Sequence, residues 1–272
     1  MAAYPPFEVC VVKEAPPYVP GHQLLAGKSV LITAAAGAGI GFAAAKKSAE
    51  EGCRALMISD IHPRRLEEAV AKLKADTGLQ NVWGQLCNVT NEEEVQALVA
   101  AAEDRLGGVD VLINNAGLGG EKRVAEMTDE EWSRVLDITL TGTFRMTRAM
   151  LPHMEKRGRG AIVNNASVLG WRAQKGQAHY AAAKAGVMAL TRCSALEAAE
   201  HGVRINAVSP SIALHEFLKK ASSEELLAQL AGREAFGRAA EVWEVANVMV
   251  FLASDYASYM TGEVLSVSSQ HA

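Results

Sequence analysis

No apolar stretch in this 272-residue chain approaches the eighteen or more residues that a membrane-spanning helix needs. The N-terminus has no positively charged segment leading into an apolar core, so no export signal is expected and a cytoplasmic location is. There is no C-x-x-C pair: Cys10, Cys53, Cys87 and Cys193 are far apart, and three of them sit in apolar stretches. That reads as reduced, structural thiol, and it excludes a disulfide frame or a zinc site. No run of like charges forms a tail, and the formal net charge of −4 argues against a nucleic-acid partner, which would need clustered Lys and Arg.

What is there is the profile of an ordinary globular protein, with 49% apolar and 21% charged residues. The length allows one large domain or two small ones and can bury a sheet on both faces. Residues 1–26 stand apart. Five of the eight prolines fall there, around one strand-like run at 7–12. Proline fixes φ and removes a donor, so this segment is expected to be an extended arm lying across the domain. A lid or a subunit contact are its other readings.

From residue 28 the pattern becomes regular. Short β-branched or apolar runs at 29–33, 55–59, 82–86, 109–114, 160–165, 204–208 and 264–267 alternate with amphipathic ones. The helical stretches are 41–51, 63–76, 92–106, 129–157, 178–201 and 241–252. Strands separated by helices of this length need crossover connections. The expected fold is therefore α/β: one Rossmann-type domain over 27–272, with a doubly wound parallel sheet of about seven strands and helices on both faces.

The first crossover carries Thr33-Ala-Ala-Ala-Gly37-Ala-Gly39-Ile40-Gly41 between a strand and a helix. Glycines there allow a tight turn and let a pyrophosphate approach the amides at the helix N-terminus. Many strand-to-helix turns are glycine-rich for steric reasons alone. No Gly-Lys-Ser/Thr follows, which removes the nucleoside-triphosphate P-loop. Asp60 ends the second strand 21 residues after Gly39, where a carboxylate can accept bonds from an adenosine ribose. It also suits a turn or helix cap before Pro63. Because a carboxylate repels a 2′-phosphate, NAD(H) is favoured over NADP(H), although Arg64 and Arg65 lie close.

Tyr180-Ala-Ala-Ala-Lys184 puts a phenol and an ammonium on one helical face. A free tyrosine titrates near 10, too high for a base at neutral pH. A neighbouring ammonium would favour phenolate, and lowering the value by about two to three units needs roughly 3–4 kcal/mol. Tyr180 would then exchange a proton with an alcohol, and Ser167, ending a strand, would hydrogen-bond the same oxygen. Alone, a Tyr-x-x-x-Lys spacing also fits an amphipathic helix with a snorkelling lysine. The composite is what carries weight.

Taken together, residues 28–268 resemble the short-chain dehydrogenase/reductase family. Asn114-Asn115-Ala116-Gly117 follows the fourth strand as in that family, and Asn164-Asn165-Ala166-Ser167 precedes Tyr180 by the expected thirteen residues. Arg204-Ile-Asn-Ala-Val-Ser-Pro210 resembles its sixth strand and proline turn. The resemblance implies Ser167, Tyr180 and Lys184 as catalytic residues, Lys184 also holding the nicotinamide ribose. It places the cofactor on Gly37, Gly39, Ile40, Gly41, Asp60, Asn88, Val89, Asn115, Ala116, Gly117, Pro210 and Ala213, and it implies a homotetramer with 129–157 and 178–201 at a subunit face. No metal is implied.

Four departures stand out. Counted back from Gly39, the family's first glycine falls on Ala35 and Thr33 lies one residue early, so the loop is shifted or enlarged by one, with Gly37 compensating. Asn88 replaces an adenine-contacting Asp and is expected still to accept a hydrogen bond. Pro210-Ser211 stands for Pro-Gly, and His215 takes a place where Thr is common. The helical Asn that supports a relay water aligns with Thr139, whose hydroxyl or main-chain carbonyl would take over.

Substrate residues in this architecture come from loops beyond the strand ends. Leu118, Val168 and Trp171 are the candidates, in largely apolar loops that suit a bulky hydrophobic substrate; Trp171 equally suits a core or interface anchor. Lys219, Lys220 and Arg233 would meet an anionic handle such as coenzyme A, or are solvated helix charge. The stretches 166–174, 179–184, 210–213 and 266–269 are similar to an actinobacterial subgroup linked to breakdown of the steroid C and D rings. That subgroup acts on the ring hydroxyl of a hydroxy-methyl-oxo-hexahydroindene carboxyl-CoA thioester. The alternatives are a 3-oxoacyl thioester reductase and a catalytically weak dinucleotide-binding or scaffold protein.

Overall fold

Along each central strand, alternate side chains feed two different cores. Val30, Ile32, Ile58, Ile113 and Val163 enter one cluster, while Leu31, Met57, Leu112, Ile162 and Ile205 enter the other. A period of two with both sides apolar belongs to a sheet covered on both faces. The computed structural model describes residues 14–215, 218 and 224–269. Seven strands, β1 (Ser29–Ile32), β2 (Ala55–Asp60), β3 (Val82–Leu86), β4 (Val111–Asn114), β5 (Gly160–Asn165), β6 (Val203–Pro210) and β9 (Val264–Val267), form one parallel sheet. Their order is β3-β2-β1-β4-β5-β6-β9. The chain winds outward in opposite directions from β1 and β4, and a crevice opens beyond their C-terminal ends.

Helices α1 (Ile40–Glu50), α2 (Pro63–Thr77) and α8 (Val242–Ala253) cover the first face. Helices α3 (Glu92–Leu106), α5 (Gly142–Arg157) and α6 (Ala178–Ala199) cover the second. Local chemistry sets their ends. Asn91 caps α3 by accepting from Glu93 and Glu94, and Gly78, Gly107 and Gly158 end α2, α3 and α5 in the left-handed region.

The expected seven-strand α/β sheet is present, with two differences along the chain. The stretch 129–157 is not one helix: α4 (Asp129–Leu136) runs through a π-helical turn, Asp137–Thr141, into α5. Its amphipathic period is continuous, so only tertiary contacts reveal the break. A second sheet of two short parallel strands, β7 (Ala213–Leu214) and β8 (Ala240–Glu241), and helix α7 (Glu224–Ala231) lie beyond β6 and escape a periodicity reading because they are short.

The strand-like run at 7–12, Cys10, Lys219 and Lys220 lie outside the described residues. Residues 18–24 of the arm pack on the C-terminal end of α1. His22 and Leu24 amides donate to Glu51 at 2.7 and 3.0 Å, Lys47 donates to the Val19 carbonyl at 2.6 Å, and the Tyr18 ring meets Trp243 edge-on. This is the end of α1 away from the glycine loop. Cys53 and Cys87 are buried, with burial pushing both thiols up to about 12, whereas Cys193 is exposed.

Candidate functional site

The site assembles where β1, β2, β4 and β5 end. Buried Thr33 accepts from the amides of Asn115 and Ala116 at 3.0 and 3.1 Å, which ties the ends of β1 and β4 together. The next residue, Ala34, has φ +52°, and Gly37 has φ +146°. Positive φ in this loop thus falls on an alanine as well as on Gly37. Gly39 opens α1 with no side-chain cap, so the first amides of Ile40 and Gly41 face the crevice side of the loop without a side-chain acceptor. A Cβ on Gly41 would sit 2.4 Å from Asn115 Nδ2 and 2.6 Å from the Ala34 carbonyl, so only glycine fits there.

Asp60 is nearly buried. It accepts from the Ala36 amide at 3.2 Å and the His62 amide at 3.1 Å, with Arg65 3.6 Å away. Burial raises its carboxyl; the Ala36 amide and Arg65 only partly oppose that. Asp60 thus serves the turn before Pro63, and Arg65 leans on the carboxylate. Arg64 instead pairs with Glu68 in solvent.

Asn88 is exposed, and its Oδ1 already accepts from the amide and the hydroxyl of Thr90 at 3.1 and 2.9 Å. The expected free acceptor is occupied by this local turn. Val89 is buried beneath Gly142, where a Cβ would approach it to 2.7 Å. Pro210 ends β6 buried, and Ala213 is buried in β7.

Tyr180 and Lys184 lie on one face of α6, as the spacing requires. The Lys184 ammonium is buried, donates to the main-chain carbonyl of Asn165, and stands 5.5 Å from the centre of the Tyr180 ring. Burial pushes this lysine down to about 8. The Tyr180 hydroxyl is hydrogen-bonded to Ser167, yet its phenol is raised, because burial outweighs that bond. The sequence suggested the opposite sign. Desolvation disfavours phenolate, and in this structure the Lys184 ammonium is held by a carbonyl. Ser167 Oγ also accepts from the Leu169 amide at 3.2 Å, fixing the hydroxyl at the start of a short 3-10 turn, Val168–Gly170.

Thr139 lies within the π-helical turn, fully buried. Its hydroxyl accepts from the Leu118 amide at 3.0 Å and donates to the Leu118 carbonyl at 3.3 Å. Its main-chain carbonyl accepts from Thr143 at 2.8 Å. Both groups expected to hold a relay water are therefore engaged within the protein. A Cβ on Gly117 would lie 3.4 Å from Lys184 Nζ and 3.7 Å from Thr139 Oγ1, which places the threonine beside the lysine.

Of the substrate candidates, Leu118 is half-buried in the loop above Thr139 and Val168 is buried. Trp171 is 50% exposed in an open groove of about 700 Å³ with Arg123, Arg172, Lys175 and the alanine face of α6. His179 is buried, with Nε2 3.3 Å from where a Cβ on Gly120 would be. His215 accepts from the Leu218 amide.

A buried amide ladder was missed. Asn114 Nδ2 donates to Asn164 Oδ1 at 2.9 Å, and Asn164 Nδ2 donates to Thr191 at 2.9 Å. Asn165, beside it, donates to Asn115 Oδ1 at 3.0 Å. Two successive asparagines at the end of a buried strand are the signal, since buried amides must be paired.

Comparison with known proteins identifies the family. A short-chain dehydrogenase family model described as enoyl-(acyl carrier protein) reductase matches residues 34–269. A (5R,7aS)-5-hydroxy-7a-methyl-1-oxo-2,3,5,6,7,7a-hexahydro-1H-indene-carboxyl-CoA reductase of Mycobacterium tuberculosis is 62% identical, over 94% of this chain and 98% of the relative. A 3-oxoacyl-(acyl-carrier-protein) reductase of Vibrio cholerae is 39% identical, over 90% and 97%. A short chain dehydrogenase crystal structure from Mycobacterium smegmatis superposes with a TM-score of 0.85 at 57% identity, covering 96% of this chain and 100% of that one. The protein belongs to the short-chain dehydrogenase/reductase family and is an oxidoreductase of the kind that binds a nicotinamide dinucleotide.

Proposed function

We propose that this oxidoreductase interconverts a secondary ring alcohol and its ketone on a bulky apolar substrate carried as a coenzyme A thioester, with NAD(H) as its redox partner. The observation that carries the chemistry is the hydrogen bond between Ser167 and Tyr180, with the Lys184 ammonium buried beside the same ring. Two hydroxyls held together can share one substrate oxygen, which suits an alcohol or ketone.

The residues present fit a dinucleotide. Gly41 leaves no room for a Cβ, the α1 N-terminus has no side-chain cap, and the buried Oδ1 of Asn165 has no partner among the described residues. Gly37, Gly39, Ile40 and Gly41 would hold the pyrophosphate, Asp60 the adenosine ribose, and Val89, Asn115, Ala116, Gly117, Pro210 and Ala213 the remaining length. A bound nicotinamide supplies the hydride acceptor in oxidation and the donor in reduction. Tyr180 holds or releases the proton at its hydroxyl, Ser167 orients the substrate oxygen, and Lys184 biases Tyr180 towards phenolate. Thr139 supports the Leu118 loop beside Lys184. Asp60 favours NAD over NADP, because its carboxylate would face a 2′-phosphate. We also assign residues 14–26, the described part of the N-terminal segment, as an arm on the domain, and a homotetramer through α5 and α6, where Phe144 and Leu196 are exposed. A monomer in light scattering would overturn that assembly.

The ring-alcohol substrate follows the Mycobacterium tuberculosis relative, and the 3-oxoacyl reading follows the Vibrio cholerae one at lower identity. Assaying the purified protein with both thioester classes and both nucleotides decides between them. Faster turnover of the hydroxyindene thioester with NAD⁺ supports the proposal; faster reduction of a 3-oxoacyl thioester with NADPH replaces it.

A further inference from the structure

Asn165 closes β5, and its side-chain orientation follows from its neighbours. Asn115 Nδ2 donates to two main-chain carbonyls, Thr33 at 3.2 Å and Ala34 at 3.0 Å, so Asn115 presents Oδ1 on its other side. That oxygen receives Asn165 Nδ2 at 3.0 Å. The Asn165 Oδ1 that remains is buried and has no partner among the described residues. A buried acceptor in that state is unfavourable until a donor meets it. Through its main-chain carbonyl the same residue holds the Lys184 ammonium. Asn165 thus holds Lys184 with its backbone and, with its side chain, the Asn115 that grips the loop before α1.

The chain of bonds ends where the loop is strained. Ala34 sits at φ +52°, a region that disfavours any residue with a Cβ. Asn115 grips the carbonyl of that residue, and the close approach of Gly41 leaves the amide little other space. Whatever fixes Asn115 therefore fixes the turn on which a pyrophosphate would rest.

We propose that Asn165 is a positioning residue for the dinucleotide. Its Nδ2 locks Asn115 and through it the Ala34 turn, and its Oδ1 accepts a hydrogen bond from the bound cofactor, whose donors are ribose hydroxyls and amide N–H groups. This goes beyond the assignment of substrate and stands whether NAD or NADP is preferred.

Asn165→Leu keeps the side-chain size and removes both interactions. The readouts are NADH and NADPH dissociation constants by fluorescence, the urea midpoint, and kcat and KM for the alcohol at saturating nucleotide. The expected result is a rise of about tenfold or more in the dissociation constant of the preferred nucleotide, with the alcohol KM within about twofold of wild type. Nucleotide binding within about twofold of wild type overturns the proposal, whatever the stability. If the leucine variant fails to fold, Asn165→Ser, too short to reach Asn115, is read by the same criteria. A second readout tests the linkage to the loop. Ala34→Gly removes the cost of the left-handed turn, so it should restore most of the lost nucleotide affinity in the Asn165→Leu background and change little alone. Strictly additive effects of the two substitutions, as a merely structural Asn165 would give, overturn it.

Discussion

The Lys184 ammonium lies 5.5 Å from the centre of the Tyr180 ring, and burial disfavours the charged form of each. Each charge would lower the cost of the other, so phenolate and ammonium are stabilised as a pair. Tyr180→Phe keeps the ring and removes the proton. It should lower kcat by about 10²–10⁴ while the circular dichroism spectrum is unchanged. Full activity in this variant would move the proton to another group.

Lys184→Met should shift the acid limb of the pH profile for alcohol oxidation upward, since phenolate loses its cationic neighbour. The same substitution has a stability signature. Burial holds Lys184 down to about 8 in the folded protein, below its ordinary value of about 10.5 in the unfolded chain, so the unfolded chain binds more protons between these values. The wild-type lysine therefore gains stability as pH rises through this window and loses it as pH falls to about 8. The methionine variant should be more stable at pH 7 by up to about 3 kcal/mol, less about 1–3 kcal/mol for leaving the Asn165 carbonyl unpaired. That advantage should shrink toward pH 10; urea titrations at the two pH values measure it.

Gly41→Ala should abolish dinucleotide binding. Its methyl group would lie 2.4 Å from Asn115 Nδ2 and 2.6 Å from the Ala34 carbonyl, so the loop must open. Gly39→Ala is the comparison: no atom lies within 4 Å of a Cβ there, and binding should fall far less. Fluorescence titration with NADH distinguishes the two.

Asp60→Ala should weaken NADH by about tenfold, through loss of a charge-assisted hydrogen bond. It should also narrow any preference over NADPH, because Arg65, now 3.6 Å from the carboxylate, would be released beside the ribose. An unchanged NADH dissociation constant would remove Asp60 from the site.

Asn164→Ala should destabilise the fold by about 1–3 kcal/mol in urea, since it leaves Asn114 Nδ2 with the Thr147 hydroxyl as acceptor at 3.2 Å and removes the donor to Thr191 inside the core. Nucleotide affinity of the folded protein should hardly change, in contrast to the neighbouring Asn165.

Much of this protein was readable from local pattern. Short apolar runs at 55–59 and 160–165, glycines at 37, 39 and 41, and a Tyr and Lys four apart on a helix each follow from a few neighbouring residues. The break in 129–157 was not readable. The π-helical turn depends on where the Thr139 hydroxyl meets Leu118, some twenty residues earlier in the chain. Nor does a sequence show that Thr90 folds back to supply both donors to Asn88 Oδ1.

By itself, then, the sequence determined the strand and helix periods, the parallel crossovers, and the identities and spacing of Ser167, Tyr180 and Lys184. Those properties depend on residue type and short-range geometry. Tertiary structure alone decided the direction in which Tyr180 titrates, the left-handed turn at Ala34, and the role of Asn165. Each of these is set by desolvation or by hydrogen bonds between segments far apart in the chain, and such contacts exist only once the sheet has brought those segments together.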